Sequence, residues 1–162
     1  MKEALLSIIK DENRIITGQI DPQYLSDNLG RKKGTAEAVV FPVSTEEISG
    51  VMRYAWENNL PVTPRGAGTN LVGSTVPSGH GIVLDVFLMN HVLELDEETF
   101  TATVEPGVVL EDFQAYVESK GLFYPPDPGE KKATIGGNIS TNAGGMRAVK
   151  YGVTRDYVMG LE

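Results

Sequence analysis

Short apolar runs separated by polar turns set the pattern of the first forty residues. Apolar positions recur on one face of a predicted helix over residues 2–10. A polar, turn-rich stretch without a clear period follows over residues 13–34. Residues 38–41 are all apolar, a pattern that predicts a short buried strand.

The next segment predicts a parallel strand-helix-strand unit. Ser44 and Glu47 have the spacing of a capping box, and apolar residues then recur three to four positions apart as far as residue 59. Residues 60–64 predict a second strand. A strand, a helix and a strand in this order form a βαβ unit whose two strands lie parallel.

The second half of the chain begins with regular elements and then loses its period. Residues 81–85 predict a third strand, and alternating residues over 92–104 predict a hairpin. A second helix is predicted to begin at Leu110. Residues 123–152 are rich in Pro, Gly, Asn and Thr, so we interpret them as a long functional loop, and residues 158–162 as the start of a strand. These elements predict an α/β (α+β) fold.

Composition and charge exclude several classes of function. The formal net charge is −8, which argues against nucleic-acid binding because phosphate neutralisation needs clustered Lys and Arg. The chain has no cysteine, hence no disulfide and no thiolate metal ligand. No stretch approaches the roughly 18 consecutive apolar residues of a membrane span, and the charged N-terminus does not have the pattern of a signal peptide. We therefore expect a cytoplasmic protein.

Glycines concentrate in two windows, the first of which directly follows the predicted strand at residues 60–64. Successive small residues over 65–74 can turn several N–H groups toward one anion. The spacing excludes a dinucleotide fingerprint, since Leu71 stands where the third glycine would be. It also excludes a Walker A loop, since Ser74 stands where lysine would be. A glycine-rich turn without a ligand remains an alternative.

The second glycine window covers residues 129–145. Paired glycines beside Asn and Thr suit the close approach of backbone to a planar, polar ring. A compact loop that packs only on itself is the structural alternative for this window.

Three motifs carry a resemblance to a known family. They are Pro-Arg-Gly-Ala-Gly-Thr at 64–69, Pro-Pro-Asp-Pro at 125–128 and Thr-Ile-Gly-Gly-Asn-x-x-Thr-Asn-Ala-Gly-Gly at 134–145. With these motifs, residues 35–162 resemble the FAD-binding domain of the vanillyl-alcohol-oxidase superfamily. The branch of glycolate oxidase flavoprotein subunits and D-lactate dehydrogenases is the most similar. The resemblance implies a PCMH-type domain of two small α/β lobes.

The resemblance also implies which residues contact FAD. In the first window it implies backbone contacts to the FAD pyrophosphate from Arg65, Gly66, Ala67, Gly68 and Thr69, extended by Gly73 and Ser74. In the second it implies flavin-side contacts and a cofactor channel formed by Asp127, Thr134, Gly136, Gly137, Asn138, Thr141 and Gly144. Family members that tether FAD covalently have a histidine just after the first glycines, where this chain has Thr69 and Asn70, so non-covalent FAD is expected.

The resemblance assigns the chain to the front part of a larger enzyme. We expect an N-terminal helical segment at 1–34, a first FAD-binding lobe with the pyrophosphate loop at 35–90 and a truncated second lobe at 91–162. The expected function is the FAD-binding portion of a 2-hydroxy-acid oxidoreductase of the glycolate or D-lactate type. No catalytic residue can be assigned, because the family's cap domain supplies those residues, so the fragment alone is expected to be inactive.

Two alternatives stay open beside this function. One is a truncated, non-catalytic fragment that folds without FAD, and the other is a flavoprotein similar to UDP-N-acetylenolpyruvoylglucosamine reductase. A small-molecule 2-hydroxy acid is the expected partner of the full-length protein, together with self-association or the subunits of a glycolate-oxidase-like complex. His80 and His91 have no suitably spaced carboxylates, so no metal site is expected, and Trp56 is expected to pack in the core.

Overall fold

The computed structural model describes residues 1–162 as two compact units, Met1–Met89 and Asn90–Glu162. The first unit combines two helices with a four-stranded sheet. Its elements are α1 (Lys2–Ile9), β1 (Ile15–Thr17), β2 (Ala38–Val40), α2 (Thr45–Glu57), β3 (Val62–Arg65) and β4 (Ile82–Asp85). Short 3₁₀ turns at Glu12–Arg14 and Pro22–Leu25 precede β1 and β2.

The sheet of the first unit has the strand order β1-β2-β4-β3. Val39 of β2 and Thr63 of β3 both pair with Val83 of β4 in parallel ladders. The predicted parallel arrangement is confirmed, with β4 inserted between the two strands of the βαβ unit. Strand β1, which lies in the stretch that we predicted to be turns, pairs antiparallel with β2 at the sheet edge.

The core of the first unit lies between the sheet and the two helices. Leu5 and Ile9 of α1 are fully buried beside Val51 of α2 and Val40 and Ile82 of the sheet. Trp56 does not join them: 85% of it is exposed, and our prediction that it packs was wrong. The buried positions of α2 end with Ala55, and the next residue points about 100° away around the helix.

The N-terminus of α2 departs from a full capping box. The hydroxyl of Ser44 accepts a hydrogen bond from the N–H of Glu47 at 3.3 Å, as the spacing predicts. The Glu47 carboxylate instead accepts from the N–H of Val43 at 2.9 Å and from Arg14 at 2.5 and 2.8 Å. Arg14 thereby lowers the pKa of Glu47 and ties the turn before β1 to α2.

The second unit consists of a hairpin and three short helices. Its elements are β5 (Val92–Asp96), β6 (Thr101–Val104), α3 (Leu110–Glu118), α4 (Ile135–Thr141) and α5 (Ala148–Tyr151), followed by a 3₁₀ turn at Thr154–Tyr157. The predicted hairpin is confirmed by antiparallel pairing of β5 and β6. Its core contains Leu110, Phe113 and Val117 of α3 and Ile135 of α4.

Two expectations about the second unit were wrong. Residues 123–152 do not form one long loop, since α4 and α5 lie within them. The glycines of α4 suggest a loop, although the segment has the features of a helix. Thr134 is its N-cap, and Ile135 and Ile139, four residues apart, both pack on the core. Residues 158–162 belong to no strand. None of the helices of either unit combines the length and the apolar character needed to cross a membrane.

Candidate functional site

The first glycine window forms a loop at the carboxyl end of β3. Strand β3 ends at Arg65, and residues 66–74 form turns and bends. The backbone N–H groups of Gly66, Ala67, Gly68 and Thr69 donate to no other group of the chain. Four successive amides without an acceptor, beside a strand end, can bind an anion such as a phosphate.

Asn70 holds the far half of this loop in shape. Its side-chain oxygen accepts from the N–H groups of Val72 at 3.2 Å and Ser74 at 3.0 Å. Its side-chain nitrogen donates to the hydroxyl of the buried Thr75 at 2.7 Å. The Ser74 amide is therefore engaged inside the chain, unlike those of residues 66–69. Gly73, which lies between Val72 and Ser74, has a φ of +77° and so provides a left-handed turn.

A buried charge lies beneath the loop. Arg65 is only 9% exposed, and its Nε lies 3.6 Å from Oδ2 of Asp85 at the end of β4. Its guanidinium lies over the ring of Tyr24, 5.5 Å from the centroid, and its Nη1 is buried without a hydrogen-bond partner. A Cβ at Gly68 would overlap this guanidinium, and its φ of +70° also favours glycine.

Asp85 is strongly affected by its surroundings. Burial raises its pKa from 3.8 to about 6, against the opposing effects of the Phe87 N–H, which donates to Oδ1 at 2.9 Å, and of Arg65. The charged form of a desolvated carboxylate is disfavoured even beside a guanidinium that partly compensates it. The Asp85 carboxyl under the loop is therefore expected to change charge near pH 6.

The glycine pair of the second window uses its amides within the chain. Thr134, which is 2% exposed, accepts the Gly137 N–H on its hydroxyl at 3.2 Å. The Gly136 N–H donates to the carbonyl of Pro106 at 2.9 Å. A Cβ on Gly136 would lie 2.7 Å from that of Pro106, so this glycine permits close packing of two backbone segments.

Asn138 is the polar side chain of α4 that the chain leaves unpaired. It is 3% exposed, and its side-chain amide makes no hydrogen bond. The hydroxyl of Thr141, by contrast, donates to the carbonyl of Gly137 at 3.0 Å. At Gly144 an added Cβ would make an ordinary contact, 3.4 Å from Val153. Of these residues, Asn138 retains the most hydrogen-bonding capacity for a ligand.

Asp127 lies in a fixed cluster of charges. Its buried carboxylate forms ion pairs with Lys131 and with Arg147, whose Nε lies 3.2 Å from Oδ2. Gln114 of α3 donates to the carbonyl of the preceding Pro126 at 2.9 Å. A side chain at Gly145 would overlap the Asp127 carbonyl oxygen, and its φ of +150° also favours glycine.

Sequence reasoning missed several residues that shape these sites. Asn70, Gln114, Lys131, Arg147 and Gly145 were not predicted as site residues. Lys131 had a detectable signal, because it stands four residues after Asp127. Gln114 and Arg147 carried none, since their contacts depend on how separate segments meet.

The two histidines lie at the surface of their units. His80 has its Nδ1 3.3 Å from Glu37, and its side chain is 87% exposed. The Nδ1 of His91 lies 2.7 Å from Glu105, whose carboxylate also accepts the His91 N–H. Each histidine therefore interacts with a single carboxylate.

Comparison with known proteins gives concordant matches. Residues 36–162 match the model of a family described as FAD binding domain. The chain is 48% identical to the glycolate oxidase subunit GlcD of Bacillus subtilis over 163 aligned positions, covering all of this chain and 35% of that protein. It is 47% identical to a D-lactate dehydrogenase of Anaerostipes hadrus, covering 91% of this chain and 32% of that protein.

A solved structure has a similar fold. An alkyldihydroxyacetonephosphate synthase superposes with a TM-score of 0.85 at 23% identity, covering 98% of this chain and 31% of that one. At this identity the match establishes the fold alone. The chain spans about a third of the length of the curated relatives that it matches.

Proposed function

This chain belongs to the FAD binding domain family, and on that premise we propose that it is the cofactor-holding part of an oxidoreductase that acts on a 2-hydroxy acid. The fold, the predicted cofactor FAD and the similarity to a glycolate oxidase subunit and a D-lactate dehydrogenase support this proposal. A glycolate or D-lactate type of substrate is also part of the proposal. Its support is the similarity to a glycolate oxidase subunit and a D-lactate dehydrogenase, each about three times as long as this chain.

The free amides of residues 66–69 are the observation that carries the proposal. A diphosphate needs several hydrogen-bond donors at one point, and these four N–H groups have no acceptor within the chain. Glycine or alanine at three of the four positions keeps side chains out of the way. We assign the FAD pyrophosphate to Arg65, Gly66, Ala67, Gly68 and Thr69, with Gly73 and Ser74 supporting the turn.

We assign the flavin half of the cofactor to the second window. Asn138 fits such a ligand best, because its buried amide has donors and an acceptor to spare. We also assign to the flavin half six residues whose side chains are engaged within the chain or absent. They are Asp127, Thr134, Gly136, Gly137, Thr141 and Gly144.

Bound FAD would supply the redox chemistry, taking up a hydride equivalent from the hydroxy acid. The residues of this chain would stabilise the diphosphate anion through backbone N–H groups and orient the ring. Oxidation of a hydroxy acid also needs a carboxylate anchor and a base within hydrogen-bond reach of the hydroxyl. We assign neither role to these 162 residues, so turnover is expected to need further chain.

The wider assignments belong to the same proposal. We take residues 1–34 as an N-terminal segment that contains α1 and also strand β1. We take residues 35–90 as the pyrophosphate lobe and 91–162 as part of the flavin lobe. We also propose that the full-length protein has partner subunits, because the Bacillus subtilis relative is a subunit of a glycolate oxidase. A cytoplasmic location fits a chain without cysteine.

Flavin binding tests the proposal directly. The chain should quench the fluorescence of added FAD, and acid precipitation should leave the flavin in the supernatant, because Thr69 and Asn70 offer no tether. Gly68→Ala should weaken FAD binding at least about ten-fold, equivalent to about 1.4 kcal/mol, since the new methyl group overlaps the guanidinium of Arg65.

Gly18→Ala is the matched control, because Gly18 also has a positive φ, +83°, but open space around it. It lies in the same unit and should leave FAD affinity unchanged. No saturable FAD binding by a folded chain, or equal losses in both variants, would contradict the proposal.

A further inference from the structure

A tight loop that precedes the family match is attached to the glycine loop. Residues 24–33 lie outside the matched residues 36–162. The Asn28 N–H donates to the carbonyl of Asn70 at 3.2 Å, and the ring of Tyr24 lies against the guanidinium of Arg65. These contacts join the segment to both the far half and the base of the glycine loop.

The segment has a defined hairpin-like shape. Ser26 and Lys33 form an antiparallel bridge, and the Gly34 N–H donates to the carbonyl of Leu25 at 2.7 Å. At the tip, the Gly30 N–H donates to the carbonyl of Asp27 at 3.0 Å. The position of residues 28–33 is therefore fixed by backbone bonds at the base and near the tip.

This hairpin presents an unpaired positive charge. Arg31, Lys32 and Lys33 are all exposed and form no ion pair within a chain whose net charge is −8. Of the two carboxylates nearby in sequence, Asp27 is 7% exposed and Glu37 lies 3.3 Å from Nδ1 of His80. Three adjacent cations that find no partner among 22 acidic residues are available to an external anion.

Lys32 is the member of this run that packs on the glycine loop. Its Cδ lies 3.4 Å from the point where a Cβ on Gly73 would stand. The absence of a side chain at Gly73 thus gives room to the lysine stem, while the ammonium group stays at the surface. The packing places an exposed cation at the edge of the loop with four free amides.

We propose that Lys32 is a ligand of the diphosphate bound by residues 66–69, and that Arg31 and Lys33 strengthen its field. This inference rests on the proposed function, since the diphosphate is that of FAD. Amides and cation act together: the amides fix the position of the phosphate oxygens, and the ammonium group supplies the opposite charge. The site therefore begins before the residues that define the family.

Fluorescence titrations of the whole chain with FAD and with riboflavin test the role of Lys32. Lys32→Gln should weaken FAD about ten-fold at low ionic strength, and riboflavin, which has no phosphate, less than about two-fold. The double variant Arg31→Gln, Lys33→Gln should weaken FAD about three-fold, an effect that added salt removes. Arg53→Gln is the matched control, because Arg53 is an exposed cation of the same unit without an ion pair.

Inorganic pyrophosphate, titrated calorimetrically, separates this inference from the function on which it rests. If the chain binds FAD but Lys32→Gln behaves like Arg53→Gln, the role of Lys32 is wrong and the proposed function stands. If the chain binds pyrophosphate but no FAD, the proposed function is wrong, and the ratio of pyrophosphate affinities decides the role of Lys32. If neither ligand binds to the folded chain, both are wrong.

Discussion

The two glycine-rich segments have similar compositions but use their backbones in opposite ways. After β3, four successive amides have no acceptor in the chain. In the segment that contains α4, Gly136 donates to Pro106 and Gly137 to Thr134, so the glycine pair is part of the unit's own packing. The same density of glycine thus provides free hydrogen-bond donors in one unit and close contact between backbone segments in the other.

This difference changes where a ligand is expected to bind in each unit. In the first, binding should depend on backbone N–H groups and therefore on loop conformation. In the second, the available group is the side chain of Asn138, and the surrounding glycines support it indirectly. Substitutions that change the loop conformation should therefore weaken binding in the first segment. In the second segment, glycine substitutions should lower stability, and substitution of Asn138 should weaken binding.

Replacing Gly145 should give the largest loss of stability. A methyl group there would overlap the Asp127 carbonyl oxygen, and φ of +150° is strained for any other residue. We expect Gly145→Ala to lower the free energy of unfolding by about 3 kcal/mol or more, measured by urea denaturation. Gly121→Ala is the control, since Gly121 has φ +75° and open space in the same unit. Equal losses in the two variants would show that packing on Asp127 is not the cause.

The buried charge under the first loop predicts a pH dependence. The pKa of Asp85, about 6 in the folded chain, lies above its ordinary 3.8. The contribution of this group to stability is therefore fully present below about pH 4 and is lost as the pH rises through about 6. We expect a loss on the order of 2 kcal/mol between pH 4 and pH 7. Urea midpoints across this range should show it.

Asp85→Asn isolates this effect from other carboxylates. Glu47 acts in the opposite direction, because Arg14 lowers its pKa and its contribution is lost as the pH falls. The difference between the wild-type chain and Asp85→Asn should therefore change with pH mainly through Asp85. A difference that stays constant from pH 4 to pH 7 would mean that burial does not shift this group.

Asn70→Ala should have a smaller effect on stability than on binding. The substitution removes the hydrogen bonds to Val72, Ser74 and Thr75, and we expect unfolding to become easier by about 1–2 kcal/mol. FAD affinity should fall further than stability alone explains, because the loop with the free amides loses its shape. Asn58→Ala, which removes one helix-end bond to Tyr54, is the control. Unchanged FAD affinity in Asn70→Ala would show that the loop holds its shape without this side chain.

The sequence predicted the elements whose signals are local and missed those that depend on contacts between distant segments. The parallel strands and the hairpin followed from apolar periodicity, and the spacing of Ser44 and Glu47 located the start of α2. Strand β1 was missed because three residues carry no period and gain their place by pairing with β2. The glycines of α4 suggested a loop, although contacts with Pro106 and the core hold it as a helix.

The candidate site shows the same division. Glycine density located both segments, and the family resemblance named their residues. The sequence could not show which backbone N–H groups are free and which donate within the chain. The difference depends on where the acceptors Asn70, Pro106 and Thr134 lie in space. The ion pair of Arg147 with Asp127 likewise joins residues twenty positions apart in an irregular segment.

Asn138→Ala should give the smallest change in stability and so provides the sharpest test of the contrast between the two units. The side-chain amide of Asn138 makes no hydrogen bond, so its removal leaves no partner unsatisfied, and alanine is the better helix former. We expect the free energy of unfolding to change by less than about 0.5 kcal/mol. Binding of riboflavin, which lacks the diphosphate, should nevertheless weaken at least about five-fold. The polar edge of the ring would lose the hydrogen bonds that we assign to the Asn138 amide.

Ser140→Ala is the control for Asn138→Ala, because Ser140 is exposed and its hydroxyl donates to the carbonyl of Gly136 within the same helix. That variant should leave riboflavin affinity unchanged. If Asn138→Ala destabilises the chain by 2 kcal/mol or more without changing riboflavin affinity, Asn138 has a structural role like its glycine neighbours. The second segment would then hold its flavin by shape alone, because none of its other polar side chains within α4 is left unpaired in the free chain.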